Sequence, residues 1–474
     1  MFSSMAGSNF FSEIFLFPLS GKITPILATA TEGGAEPAMV VAGVLLSLVA
    51  IYIASKAGGE FFNWLGFPPV LGELVGGVII GISALNLVIF PESGVDSSSS
   101  VIINILQATA GLSPDAAEAT FEAQSEVLEV LAELGVIILL FEIGLESNIR
   151  ELKQVGIQAI VVATVGVVLP FVAGTAGMIT IFHVSAVPAI FAGAALTATS
   201  IGITSRVLAE INRLNTKEGQ IILGAAVIDD VMGIIILAVV ASLAKTGEID
   251  IVNVVYLIVS ATVFLVGAIL LGRQFNSVFV FFAEKFKTRG RAVIPALTIA
   301  LFMSYIGAAI HLEAILGAFA AGLVLDNLDE TEVGRELEKL ILPISDVIVP
   351  IFFVTVGTKT NLAVLNPAVP TNREGLVIAI FLIVVAIVGK VACGFSVFGL
   401  GPVNRLAVGV GMVPRGEVGL VFAAVGSASG ALSPALNVAI ILMVILTTFL
   451  APPLLKVVFG EAEAEAEEVS ETSG

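Results

Sequence analysis

The segment Gly411–Leu420 reads GMVPRGEVGL and interrupts a long apolar stretch of the chain. Pro414 removes a backbone donor that a continuous helix would use, and Gly411 and Gly416 flank it. Inside a lipid bilayer, backbone groups released by such a break are tolerated only within the protein or along a water-filled cavity. The segment therefore predicts a membrane helix that is broken near its middle and shielded from lipid.

The composition of the whole chain fits a polytopic membrane protein. Its 474 residues are 57% apolar, and the mean hydropathy is +1.07. Two histidines and one cysteine are too few for a zinc, haem or iron–sulfur centre, a disulfide or a Cys–His nucleophile. No glycine-rich phosphate loop opens a helix, and the net charge of −18 argues against a nucleic-acid partner. We expect a protein of the lipid bilayer that is not an enzyme and needs no cofactor.

Apolar stretches long enough to cross the bilayer recur along the chain, since each crossing needs about 20 residues. We predict an all-α fold with about 13 transmembrane helices. Lys and Arg gather in the loops of one side, whereas the loop from Pro91 to Glu126 has neither, which predicts an outer N-terminus and an inner C-terminus. The predicted spans begin near Met39, Phe67, Val127, Val155, Val184, Gly219, Val252, Ala292, Leu312, Ile341, Leu376, Leu406 and Leu436.

The two ends of the chain are predicted to lie outside the transmembrane domain, residues 38–459. Residues 1–37 contain FFSEIFLFPL followed by ILATA, which fits either a signal peptide or a short interfacial segment. Residues 460–474 read GEAEAEAEEVSETSG, and we expect them to form a solvated, disordered acidic tail.

The chain also repeats itself weakly. VLGELVGGVIIG from Val70 is similar to ILGAFAAGLVL from Ile315, and LLFEIGLESN is similar to IFFVTVGTKTN. The second match makes Gly144 equivalent to Gly357, an offset of 213 positions. Spans 2–6 then match spans 9–13, and the odd number of spans between partners inverts the second copy in the membrane. Inverted repeats build many secondary transporters, with the substrate site at their interface near the midplane.

The span that matches the broken one is also interrupted. ALTATSIGIT, at Ala195–Thr204, combines β-branched and hydroxyl residues whose side chains can bond to the backbone. Two breaks at matching positions predict crossing half-helices whose termini can hold ions. For Glu417, which lies two residues after Arg415, an ion pair that supports the break is an equal alternative to contact with the ion. The residues assigned to this broken-helix ion site are Thr197, Thr199, Ser200, Pro414, Arg415 and Glu417.

Two adjacent carboxylates lie in the middle of span 6, which reads AAVIDDVMGIIIL over Ala225–Leu237. Each aspartate at a helix centre costs about 2.5–3.5 kcal/mol on insertion. A structural ion pair with Lys390, the lysine at the centre of span 11, would account for one of them. Neighbouring helical residues point about 100° apart, so Asp229 can pair with Lys390 while Asp230 faces a cavity. Such a pair of carboxylates is suited to exchanging a proton for a monovalent cation.

Other acids lie within the predicted spans. Glu73 and Asp346 are near span ends, where we expect them to be solvated or to cap a helix. Glu142 is a candidate partner for Arg415.

The motifs LFEIGLE, ALTATS, IDD, PIFFVTVG, GK at Gly389–Lys390 and PRGEVGL together resemble the monovalent cation:proton antiporter-2 family, with the sodium/proton antiporter fold. The resemblance covers nearly everything from Met39 to Phe459. It implies that Asp230 carries the Na+ ion and the proton, and that Asp229 forms a salt bridge with Lys390. It also implies an electrogenic exchange of one sodium for two protons, with Li+ as a candidate second cation and a role in pH and sodium homeostasis.

The resemblance further implies an architecture of moving parts. Spans in residues 154–243 and 375–459 form a core that moves like an elevator against a dimerisation scaffold, residues 38–147 and 291–362, in a homodimer. We expect no regulatory nucleotide-binding domain, because the sequence continues only briefly beyond the last span. The host is expected to be a bacterial or archaeal plasma membrane or a cyanobacterial thylakoid membrane.

Three alternatives stay open at this point. The first keeps the fold and exchanges K+ for H+. The second is a passive cation channel, which has no need of a titrating aspartate pair. The third is a symporter of an organic anion, which would favour an uncompensated cationic site, whereas the acids named above predict an excess of carboxylate in the core.

Overall fold

The computed structural model describes residues 34, 36–147, 149–246, 248–285, 290–325 and 332–472, and the regular elements within them are all helices. The predicted N-terminal segment, residues 1–37, lies outside the described residues except for positions 34, 36 and 37.

The first half of the described chain forms eight α-helices, with two short 3-10 turns in its outer loop. These helices are α1 Pro37–Trp64, α2 Pro69–Ile80, α3 Val101–Ala110, α4 Pro114–Glu146, α5 Ile149–Thr180, α6 Ala186–Ala195, α7 Ile201–Glu210 and α8 Lys217–Thr246.

The long helix α9 Ile251–Lys285 leads into the second half, which has a similar order of elements. Its described helices are α10 Val293–Ala309, α11 Ala314–Leu325, α12 Glu332–Thr358, α13 Pro370–Gly394, α14 Arg405–Gly411, α15 Glu417–Ala428 and α16 Pro434–Thr472.

Each predicted span corresponds to one helix or, at the two breaks, to a pair of helices: α6 with α7, and α14 with α15. Within the described residues, seven helices are long and apolar enough to cross a membrane on their own. The all-helical polytopic fold with two broken spans is therefore confirmed, while the number of crossings stays a prediction.

Two segments differ from the sequence-based expectation. The outer loop is largely helical, because Ser100 Oγ accepts from Ile103 N at 3.3 Å to cap α3 and Ser113 Oγ accepts from Ala116 N at 3.2 Å to cap α4. The acidic tail was expected to be disordered, but its backbone continues α16 as far as Thr472. Alanine and glutamate, which alternate there, are both favourable helix formers.

Close glycine contacts repeat the same packing twice and support the inverted repeat. Gly77 of α2 lies against Gly357 of α12, and Gly322 of α11 lies against Gly144 of α4, so closely that a Cβ at any of them would overlap opposing backbone. In the sequence alignment Gly77 is equivalent to Gly322 and Gly144 to Gly357. The two contacts are therefore related by the repeat symmetry. Each of them joins a helix of one copy to a helix of the other.

The helix before each copy takes part in the same symmetry. Gly72 of α2 packs against Gly58 of α1, and its equivalent Gly317 of α11 packs against Met303 of α10. The structure therefore adds one helix to the beginning of each copy. It relates α1 to α10, with α9 between the copies.

Helix packing falls into two sets of helices. The scaffold set consists of α1, α2, α4, α10, α11 and α12, in which α2 packs on α1 and α12, and α4 on α11 and α12. The core set consists of α5–α8 and α13–α16, in which α5 packs on α8 and α13, and α13 on α16. That the core set moves as a body stays a prediction.

Candidate ion-binding site

The break between α6 and α7 is rich in hydroxyl groups. Residues 196–200 leave the helix, and Thr197 Oγ1 turns back to donate to Ala194 O at 2.7 Å. Thr199 is 2% exposed and Ser200 6% exposed, so this non-helical backbone is buried inside protein as the bilayer requires. The first of the two predicted breaks therefore lies where the sequence placed it.

The break between α14 and α15 crosses the first one in direct contact. Thr199 Oγ1 donates to Met412 O at 3.1 Å, and Ser200 N donates to Pro414 O at 2.9 Å. These two carbonyl groups of the second break are thus satisfied by donors of the first break. Thr199 and Met412 are separated by the repeat offset of 213 positions, which places this contact on the approximate two-fold axis of the repeat.

The ion pair between Asp229 and Lys390 forms as expected. Lys390 Nζ lies 3.1 Å from Asp229 Oδ2 and donates to Thr199 Oγ1 at 2.9 Å. Both side chains of the ion pair are 0% exposed. The lysine of α13 therefore joins the aspartate of α8 to the first break, and it neutralises one of the two adjacent carboxylates.

Asp230 has a different environment from Asp229. It is 2% exposed and lines a small cavity at the point where the two breaks meet. Ile315 contributes to the same cavity from the predicted outer end of α11, a helix of the scaffold set. The cavity is lined by Ala198, Thr199, Ser200, Ile201, Asp230, Ile315, Gly416 and Val418. Asp230 thus lies at a boundary between the core and scaffold sets.

Arg415 is fully buried in the second break. Its Nη1 donates to Ala198 O at 2.8 Å, and its own carbonyl accepts from Thr448 Oγ1 at 2.5 Å. The predicted pairing of Arg415 with Glu142 is wrong, because Glu142 of α4 accepts instead from Ser345 Oγ of α12. Glu417 begins α15, and its side chain lies outside what the structure describes.

Among the described buried residues four carboxylates, Glu73, Glu142, Asp229 and Asp230, outnumber two cations, as expected, but the charges beside the two breaks are balanced. Two carboxylates and two cations are buried there, Asp229 and Asp230 with Lys390 and Arg415, and we call these four residues the midpoint site. Both cations are held by groups of the site itself, through Asp229, Thr199 and Ala198 O. Lys390 is paired with Asp229, whereas Arg415 keeps two buried donors, Nε and Nη2, that have no hydrogen-bond partner among the described residues.

A second buried ionic group, which the sequence reasoning missed, lies toward the predicted inner side. Ser55 Oγ of α1 donates to Glu73 Oε1 at 3.1 Å, and Glu73 is 7% exposed, so its expected solvation is wrong. Asp346, which was also expected to be solvated or to cap a helix, is exposed. Arg206 and Glu210 of α7 pair at 3.1 Å, an i,i+4 spacing that was readable in the sequence. We call Glu73, Glu142, Arg206 and Glu210 the inner cluster.

Comparisons with known proteins agree with this architecture. The family model described as sodium/hydrogen exchanger, transmembrane, matches residues 44–459. The chain is 61% identical over 453 residues to the high-affinity Na+/H+ antiporter NhaS3 of Synechocystis, covering 95% of this chain and 98% of that protein. It is 31% identical over 418 residues to the Na+/H+–K+ antiporter GerN of Bacillus cereus, covering 87% and 95% respectively.

A solved structure shares the fold. The sodium proton antiporter MjNhaP1 of Methanocaldococcus jannaschii aligns with a TM-score of 0.57 at 16% identity, over 87% of this chain and 95% of that chain. The fold and the buried charges at two crossing breaks define a multi-pass integral membrane transporter. The chain belongs to the sodium/hydrogen exchanger family of monovalent cation:proton antiporters.

Proposed function

We propose that this protein exchanges Na+ for H+ across its membrane and that Asp230 carries both ions in turn. The observation that carries the proposal is the placement of Asp230 in a cavity between the two helix breaks and the scaffold set. A buried carboxylate beside non-helical backbone can offer oxygen ligands to a small cation, and it can hold a proton when the cation is absent.

Competition for one carboxylate gives the exchange its coupling. A cation and a proton cannot occupy Asp230 together, so each crossing of the membrane carries one or the other. At low pH protons fill the site, and the apparent affinity for Na+ falls. At high pH the cation fills the site, and the return of protons becomes limiting. Transport therefore limits itself at both ends of the pH range.

Asp229 and Lys390 take part in a different way. When a cation binds and draws Asp229 away from Lys390, the lysine can release a proton, which gives one Na+ exchanged for two protons. Lys390→Gln should then exchange one cation for one proton and become insensitive to imposed membrane potential. If that variant still responds to voltage as the wild type does, Lys390 is a structural brace and the second proton travels elsewhere.

The cavity wall supports an elevator mechanism. Ile315 comes from the scaffold set, whereas Asp230 and both breaks belong to the core set. Sliding of the core set along the scaffold set would expose the same site first to one side and then to the other. Ser200 and Pro414 would move together in this step, because their backbone hydrogen bond joins the two breaks. The scaffold set is then the natural surface for a homodimer, which anchors the elevator.

The decisive experiment uses proteoliposomes that contain a pH-sensitive dye. Wild-type protein should move protons when Na+ or Li+ is added, and Asp230→Asn should fall to the level of protein-free liposomes while remaining folded. Asp346→Asn is the matched control, because it removes an exposed aspartate from α12. Wild-type rates in Asp230→Asn would refute the assignment of the carrier.

Identifying the transported cation requires a second measurement. The relative GerN is named as an Na+/H+–K+ antiporter, which keeps K+/H+ exchange as the alternative cation preference. The same liposomes challenged with K+ decide between them, and we expect a smaller response to K+ than to Na+. Flux of Na+ that continues unchanged when proton movement is prevented would instead indicate a passive channel.

The sodium-transporting role fits a bacterial or archaeal plasma membrane or a cyanobacterial thylakoid membrane. A relative of high identity comes from the cyanobacterium Synechocystis. In either membrane the exchange would serve pH and sodium homeostasis. Fractionation of the native cells, followed by immunodetection of this chain, distinguishes the two membranes.

A further inference from the structure

The inner cluster joins the core set to the scaffold set through one glutamate. Glu210 Oε2 accepts from Val70 N at 3.3 Å, across 140 positions of sequence. Val70 is the second residue of α2, a scaffold helix whose own N-cap, Pro68, has no capping side-chain hydrogen bond. A carboxylate at a helix N-terminus satisfies a free donor and interacts favourably with the helix dipole. Glu210 of the core set therefore caps a scaffold helix.

Arg206 fixes the orientation of this cap. Its Nε donates to Glu210 Oε1 at 3.1 Å, so the two oxygens of one carboxylate hold Arg206 and Val70 at once. The guanidinium also interacts electrostatically with Glu73 of α2 and Glu142 of α4. Arg206 thus attracts two scaffold helices while it orients Glu210.

A second contact joins the core set to the turn that precedes α2. Lys456 Nζ, near the predicted inner end of α16, donates to Gly66 O in the turn between α1 and α2. Residues 66–70 are thus held by two core helices, α7 through Glu210 and α16 through Lys456. These contacts lie at the inner end of α2, whereas the Asp230 cavity includes Ile315 at the outer end of α11.

We propose that Glu210, oriented by Arg206, is a latch that holds the core set against the scaffold set at the inner side and favours the outward-facing state. The proposal rests on the elevator movement proposed above. Movement of the core set toward the inner side separates α7 from the start of α2, so the latch must open in every transport cycle. The latch thereby sets how the protein divides its time between the two faces.

The kinetic consequence is opposite at the two faces. The apparent affinity for a ligand is proportional to the fraction of protein in the binding-competent state, so it falls when that fraction falls. Glu210→Gln and Arg206→Gln should therefore lower the KM for Na+ at the inner face and raise it at the outer face. We expect the ratio of the outer to the inner KM to rise by about fivefold, the lower end of typical couplings between sites. Arg206→Lys, which keeps a cation beside Glu210, should shift both values less than Arg206→Gln.

A matched control is present on α1. Lys56 and Glu60 form an ion pair with the same i,i+4 spacing, but their side chains are 82% and 62% exposed, against 20% and 11% for Arg206 and Glu210. Glu60→Gln should leave both KM values unchanged, since exposed pairs contribute little. The measurements use inside-out and right-side-out vesicles, so that each face receives Na+ separately. Values that stay unchanged in both latch variants, or that shift in the same direction at both faces, overturn the proposal.

A second readout does not depend on transport. Ser55 is buried and hydrogen-bonds to Glu73, so a cysteine there reports access to the inner cluster. In a Cys393→Ala background, Ser55→Cys should react faster with a membrane-impermeant thiol reagent from the inner side when Glu210→Gln or Arg206→Gln is added. Equal labelling rates contradict the latch. If the wild type shows no Na+/H+ exchange, the proposed function fails, and this labelling still decides the latch.

Discussion

The midpoint site and the inner cluster are both buried groups of acids and bases, yet they differ in the backbone around them. In the midpoint site the two interrupted helices contact the charges directly, because Lys390 donates to the Thr199 hydroxyl and Arg415 donates to Ala198 O. The inner cluster lies on helical segments, and hydroxyl groups of neighbouring helices donate to two of its carboxylates, Ser55 Oγ to Glu73 and Ser345 Oγ to Glu142.

The comparison indicates that buried charge alone does not define an ion pathway. In the inner cluster the carboxylates hold helices together, and each has a protein donor within the described residues. In the midpoint site the breaks add non-helical backbone and a cavity that Asp230 lines. The inner cluster is suited to holding a conformation and the midpoint site to exchanging ions.

The largest effect on stability is expected from Lys390→Ala. It leaves Asp229 buried without its partner, and breaking a buried ion pair in this way costs about 3–5 kcal/mol. Adding Asp229→Asn should recover much of the loss, because the uncompensated charge is then gone. The thermal unfolding midpoint in detergent measures both variants. If the second substitution recovers nothing, burial of an unpaired Asp229 is not the cause of the loss.

A smaller effect is expected where the breaks cross. Thr199→Val keeps the shape but removes the hydroxyl that donates to Met412 O and accepts from Lys390 Nζ. Leaving such buried groups unsatisfied costs about 1–3 kcal/mol, and the KM for Na+ should rise. Thr197→Val is the control, because the Thr197 hydroxyl bonds within its own turn, to Ala194 O. Equal losses of Na+ affinity in the two variants would mean that the contact between the two breaks is not what supports Na+ binding.

The smallest effect on exchange is expected from Glu142→Gln. The amide can still accept from Ser345 Oγ, and the residue lies on the continuous helix α4 rather than beside a break. Exchange should therefore persist at nearly the wild-type rate in the liposome assay. Loss of exchange as complete as that of Asp230→Asn would remove the distinction between the two buried groups.

The sequence predicted the midpoint site because its signals are local. Paired aspartates in an apolar run, a lone central lysine and a proline between glycines each stand out within one span, and the repeat offset joins the breaks. The inner cluster could not be predicted in the same way. Its members come from α2, α4 and α7, and Glu73 resembles an ordinary span-end acid until α1 is packed against it. The pairing of Glu142 with Arg415 failed for the same reason, since charge alone does not fix which helices are neighbours.

The central claim is that one carboxylate, Asp230, holds either Na+ or a proton. The most direct measurement adds Na+ to purified, weakly buffered protein and records the pH of the solution. We predict that wild-type protein releases protons as Na+ binds, that the apparent affinity for Na+ weakens as the starting pH falls, and that Asp230→Asn releases none. Sodium binding without proton release in the wild type, or undiminished release in Asp230→Asn, would contradict the account.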